Sequence, residues 1–112
     1  VRDGAHLLSV ITNDSWYDFT YGPRQHYLMA AARAIETRRY IARCANSGVT
    51  GFISPLGKSV QEAQQYTATA IASTVPLMKE RTLYVQLPDV LPMAALLAAL
   101  VSLVVGLFRR KE

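Results

Sequence analysis

The stretch VLPMAALLAALVSLVVGLF, Val90–Phe108, contains no charged residue. At the helical rise it reaches about 28 Å, close to the hydrocarbon thickness of a bilayer. Buried core helices rarely stay apolar on every side for so long, so the segment reads as a transmembrane helix. Asp89 can cap its start, and Pro92 falls in the first turn, where a missing N–H costs little. Arg109-Arg110-Lys111-Glu112 follows. Basic residues just past a span favour the cytoplasmic side, which leaves the preceding residues on the outer, periplasmic face. The expected organisation is residues 1–87 as a globular unit, 88–109 as the membrane helix and 110–112 as a cytoplasmic tail.

The rest of the composition must be read around that span. At 112 residues, half of them apolar, the chain can build one modest domain. It begins with Val and shows no targeting segment. An outward-facing domain needs something upstream to carry it across, so the chain is expected to be the C-terminal piece of a longer membrane protein. The net charge of +4 comes largely from the tail and from Arg33–Arg43. A nucleic-acid partner would need that basic surface in the cytosol, and the topology puts it outside. Anionic lipid head groups are the better match.

His6–Thr12 reads as a strand buried on both faces. Asn13 to Gly22 is a loop. Pro23 opens a helix to about Arg39, with Leu28, Ala31, Ala32 and Ile35 as the core-facing stripe and Arg33–Glu36 as a surface pair. Tyr40–Ala45 and Val49–Ser54 are strands joined through Asn46-Ser47-Gly48. Pro55-Leu56-Gly57 turns a hairpin into Lys58–Gln61. Ala68–Val75, rich in small and β-branched residues, reads as a further strand ended by Pro76. Leu77–Leu87 is a connector. This order suits a mixed α/β layer whose first strand has an open edge.

Chemistry is sparse. Cys44, the only cysteine, falls inside a strand and reads as a small buried hydrophobe. His6 and His26 have no second ligand at metal spacing, so no metal site is expected. His26 stands near the helix start, within reach of the loop after Thr12. Asn13, Asp14 and Trp16 are the best pocket candidates, because ligands of α/β sheets sit beyond the carboxyl ends of strands. Asn and Asp can brace such a loop, and an indole offers a broad apolar wall. A structural role for these residues stands beside the binding one.

VITNDSWYD, GPRQH, RAIETRR, RCANSGVTGFISPLGK, VPL, TLY and the final apolar helix together resemble the C-terminal part of the apolipoprotein N-acyltransferase family, within the carbon–nitrogen hydrolase (nitrilase) superfamily. The resemblance implies an α/β fold: the C-terminal part of a nitrilase-like α-β-β-α sandwich, periplasmic, followed by one transmembrane helix in the bacterial inner membrane. It implies acyl transfer from a phospholipid, through a cysteine thioester, to the N-terminal amine of a diacylglyceryl apolipoprotein, without a cofactor. The family's Glu, Lys and Cys triad has no counterpart here, so the resemblance leaves this chain no catalytic residue and no activity alone. Asn13, Asp14 and Trp16 match the loop lining the acyl and head-group pocket, and Gln25 and His26 match the helix start beside it. Arg38 stands where the family commonly has glycine.

Two alternatives remain open on the residues alone: a membrane-anchored nitrilase-like amidase that uses water as acceptor, and a non-catalytic tail-anchored interaction module. Sequencing the DNA upstream of Val1 separates them, since an acyltransferase should carry several more membrane spans before the domain than an anchored amidase. The first reading expects an open frame encoding a nearby Cys, with a Lys and a Glu farther back, and the interaction module expects none.

Overall fold

A computed structural model describes residues 1–17 and 19–109; Asp18 and the tail at 110–112 lie outside the described residues. The elements are β1 (Leu7–Thr12), a 3-10 turn (Ser15–Tyr17), α1 (Gly22–Thr37), β2 (Tyr40–Ala45), β3 (Gly51–Ile53), β4 (Ser59–Glu62), α2 (Leu83–Gln86) and α3 (Val90–Arg109). The strands form one sheet in the order β1-β2-β3-β4, with β1 and β2 parallel and the other pairs antiparallel. Parallel neighbours need a crossover, and α1 supplies it. The register sets Val10 beside Arg43 and Thr12 beside Ala45. The two strands therefore end together, and the turns that follow them, at Asn13-Asp14 and Asn46–Gly48, meet at one end of the sheet.

One face of the sheet receives α1. Tyr27, Ala30, Ala31 and Ala34 pack on Ile41, Val49 and Ile53, with Leu8 and Val10 at the margin. Small alanines let the helix axis approach the sheet closely, and the apolar surface removed from water holds the two layers together. The buried stripe thus differs from the expected one. Ala31 is shared, but Leu28, Ala32 and Ile35 are exposed, because Tyr27 sets the rotation of α1. The Arg33–Glu36 pair forms at 2.9 Å.

The opposite face is thinly covered, and this overturns three expectations. β1 is not buried on both sides: Leu7, Ser9 and Ile11 are exposed while Leu8, Val10 and Thr12 turn toward α1. Cys44 shares that open face and is exposed, not buried. Residues 68–75 form no strand. Thr69, Ala70 and Ile71 instead border a groove with Ile11, Ala42 and Phe52, on the face away from α1. The β-branched Thr69 and Ile71 suit lying against a sheet face, which needs no ladder hydrogen bonds.

Two adjacent arginines close α1 in different ways. Arg38 takes the left-handed conformation (φ 51°, ψ 45°) and caps the helix, its N–H donating to Ala34 and Ile35 carbonyls. A side chain there is strained, which is why glycine usually occupies such a cap. Arg39 is 1% exposed and has no partner anion among the described residues. Its Nε donates to Ala5 O at 2.7 Å, and its Nη1 to Glu80 O at 2.6 Å, tying the N-terminal segment and the late connector to the end of α1.

α3 is the one described helix long and apolar enough to cross a membrane, and none of Val90–Leu107 is buried in the protein. The Met93 N–H donates to Asp89 O at 3.0 Å, so Asp89 begins α3 through its backbone.

The paired arginines should respond oppositely to substitution. Arg38→Gly relieves the left-handed strain and should raise unfolding free energy by about 0.5–1 kcal/mol. Arg39→Ala strands several carbonyls and should lower it by about 2–3 kcal/mol. Denaturant titration of the two variants checks both signs.

Candidate functional site

Asp14 sits where β1 ends, and its carboxylate is 1% exposed. A buried carboxylate survives only if charge and donors meet its lone pairs. Arg43 Nη2 donates to Oδ2 at 2.8 Å. His26 Nδ1 lies 2.7 Å from Oδ1, and Thr12 Oγ1 donates to the same oxygen at 3.2 Å. The Asp14 N–H donates to Asn46 Oδ1 at 3.3 Å. Burial works to raise the Asp14 pKa, but the His26 hydrogen bond, the Arg43 charge and its hydrogen bond, and the His26 charge together outweigh it, so the carboxyl is held below its ordinary value.

The surrounding backbone is shaped to this hub. Arg43 Nε donates to Val49 O at 3.1 Å, which fixes the guanidinium plane. At Gly48 a Cβ would lie 1.9 Å from Asp14 Oδ2, so only glycine permits the approach. At Gly22 a Cβ would lie 2.3 Å from the Tyr17 ring, which in turn meets His26 edge-on at 6.1 Å.

An ionised carboxylate only accepts, so His26 Nδ1 carries a hydrogen toward Asp14 Oδ1. His26 lines a groove of about 390 Å³ with Val10, Met29, Ala30, Ala32, Arg33 and Arg43, beside the open edge of β1. Most of the lining is apolar, and Arg33 stands exposed beside it, paired with Glu36. Such a groove can hold an apolar chain whose polar end meets an oriented imidazole.

The expected site residues divide. Asp14 and His26 are brought together as partners. Asn13 spends its side chain locally: Oδ1 accepts from Ser15 N at 3.1 Å and from Ser15 Oγ at 2.7 Å. Trp16 is 86% exposed, and Gln25 is exposed on α1. Neither side chain hydrogen-bonds to the described residues. Phe19 leaves the other rings and stacks on Tyr66, centroids 4.8 Å apart. Sequence reasoning missed Arg43 and Asn46. A signal for Arg43 existed: it alternates with Ile41 and Ala45 on the inward face of β2, where a charge demands a buried partner. Among the described residues no three His, Cys, Asp or Glu side chains converge as metal ligands.

Asp14→Ala should cost about 3–5 kcal/mol, because it leaves Arg43 charged and buried without its anion. With the folded carboxyl depressed below 3.8, the Asp14 contribution is complete above that pH and is lost as pH falls through the lowered folded value. Asp14→Asn should therefore flatten the acid limb of a stability–pH profile measured by denaturant titration.

The carbon–nitrogen hydrolase family model matches residues 1–83. The chain is 40% identical over 98% of its length to an apolipoprotein N-acyltransferase of Chlorobaculum tepidum, of which it covers 21%. It is 36% identical over 86% of its length to one from Pseudomonas aeruginosa, covering 19%. With one from Shewanella oneidensis it shares 33% identity over its whole length, covering 21%. The chain spans about a fifth of the length of these curated relatives. With a matched region that takes in the sheet, α1 and the Asp14 hub, the chain belongs to the carbon–nitrogen hydrolase family.

Proposed function

We propose that this chain is the C-terminal part of an apolipoprotein N-acyltransferase of the bacterial inner membrane. The observation that carries the reading is a similarity to such enzymes that covers 98% of the chain, and so takes in both the hydrolase-family region and the apolar α3. A soluble hydrolase domain has no use for an uncharged, exposed helical stretch of 18 residues, Val90–Leu107. In this reading 1–87 belongs to a periplasmic nitrilase-like sandwich, 88–109 spans the membrane and 110–112 is cytoplasmic, consistent with the basic end of the chain.

The reacting Glu, Lys and Cys come from sequence upstream. The thiolate attacks a phospholipid acyl ester, forms a thioester and releases the lysophospholipid. The free amine of a diacylglyceryl-cysteine then attacks the thioester, forms the amide and returns the thiol. Splitting the transfer this way replaces one difficult step by two easier ones. Both substrates live in the bilayer, and lifting an acyl chain into water costs about 0.8 kcal/mol per methylene. A catalyst tethered at the surface avoids that cost.

The present residues serve binding and shape. The ionised Asp14, locked to Arg43 and His26, holds the loop that presents Trp16. Trp16 offers an apolar wall to an acyl chain, Asn13 sets the turn before it, and Gln25 and His26 stand on α1 beside it.

Membranes from cells expressing the gene at its natural locus, given phosphatidylethanolamine and a diacylglyceryl-cysteine peptide, should yield N-acylated peptide by mass spectrometry. Release of free fatty acid without peptide acylation would replace the transferase reading by a hydrolase. Trp16→Ala should lower kcat/KM about tenfold without lowering stability, because the exposed ring contributes little to the core.

A further inference from the structure

The chain does not pass directly from the globular unit into α3. It first makes the single turn α2, and that turn is seated with unusual care. Val85 is buried. Thr82 Oγ1 donates to Glu36 O at 2.5 Å and accepts from Val85 N at 3.2 Å. Arg2 Nε donates to Val85 O at 2.9 Å, and Arg33 Nη1 reaches the Tyr84 hydroxyl at 3.4 Å. One helical turn cannot hold itself in water, so these ties to α1 and the N-terminal segment define its orientation.

That orientation faces the apolar side chains outward. Leu83 is 76% exposed and Leu87 57%, as is Leu91 at 80% in the first turn of α3. Leu83, Tyr84, Leu87, Leu91 and Pro92 converge on one concave apolar surface of about 420 Å³. The backbone continues across it: Leu87 N–H donates to Leu83 O at 2.8 Å and Val90 N–H to Leu87 O at 3.4 Å. A contiguous apolar patch of this kind marks a contact surface.

We propose that this elbow, Leu83–Pro92, is a second membrane contact: it lies in the head-group and upper acyl layer and fixes how the globular unit meets the lipid. The inference rests on the reading of α3 as a membrane span. Its occupant follows from continuity, since Leu91 and Pro92 are already the first turn of that span. Interfacial helices bury their apolar face some 5–10 Å into the boundary, the depth the residues just before a span must cross. Tyr84 suits that level, with an apolar ring and a hydroxyl held toward Arg33. The ties from Thr82 and Arg33 then transmit the seating of the elbow to α1, the helix that carries His26.

Trp16 is the sole tryptophan of these 112 residues, so Trp16→Phe, with every upstream tryptophan also replaced by phenylalanine, gives a silent fluorescence background. In it, Leu87→Trp, Leu83→Trp and, as a control, Leu97→Trp in the middle of α3 are introduced into the full-length protein, upstream sequence included, and reconstituted in phosphatidylcholine vesicles. The vesicles carry bromine either near the head group or at mid-chain. Both elbow tryptophans should be quenched at least about twofold more by shallow than by mid-chain bromine, and shielded from aqueous iodide. The control should show the reverse depth preference. Elbow tryptophans open to iodide and untouched by bromine, while the control is quenched, overturn the elbow alone. Elbow tryptophans shielded from both quenchers show that protein covers the surface, and also overturn it. A control that no bromolipid quenches removes the membrane reading and the elbow with it. Reading two elbow positions guards against one substitution disturbing the turn.

Discussion

A carboxylate with no exposed surface has to be held by opposite charge and by donors on its lone pairs. Asp14 meets that requirement from three elements at once: Arg43 from β2, His26 from α1 and Thr12 from the end of β1. Asn46, from the turn after β2, takes its backbone N–H. The geometry of the whole end of the sheet follows. The two parallel strands must end in register, Gly48 must lack a side chain, and α1 must present its first turns to the strand ends. Breaking the hub leaves a buried guanidinium uncompensated, which costs far more than the pair contributes when intact.

The hub also separates support from display. Asn13 spends its side chain within the loop and Asp14 ties the loop to β2 and α1, while Trp16 faces outward. His26 joins the two roles, one ring nitrogen locked to Asp14 and the ring lining the groove beside β1. A surface chosen for contact with apolar chains benefits from such a division, since an aromatic wall is useful only when its mounting is stiff.

At the other end of α1 the polar ties run to the connector. Arg39, Thr82 and Arg2 hold the chain by backbone carbonyls, which no substitution of the contacted residues removes. α1 is thus fastened at its start to the strand ends and at its finish to the turn that leads into α3. The helix is the rigid member between the candidate groove and the apolar span.

Much of this was legible in order and much was not. Tyr40–Ala45 could be delimited because its mostly apolar run stops at the turn signal Asn46-Ser47-Gly48, and α3 because the uncharged run Val90–Phe108 admits few other uses. The resemblance blocks identified the family for the same reason that they are recognisable: turns, glycines and helix starts have narrow chemical requirements. Three things could not be read locally. The rotation of α1 depended on where Tyr27 fits against the sheet, so Leu28 and Ile35 face out in spite of their period. Residues 68–75 have strand-like composition yet lie on a sheet face, a choice set by which surface is available. Cys44 and Ile11 look like core and are exposed, since burial belongs to what packs opposite. Sequence by itself determined the apolar span and the order of the elements from β1 to β4, because those follow from composition and short-range spacing, and the family through the resemblance of its motif blocks. Only the tertiary structure decided that Asp14 is buried against Arg43 and His26, because that contact joins residues whose meeting depends on strand register and on nothing local in the chain.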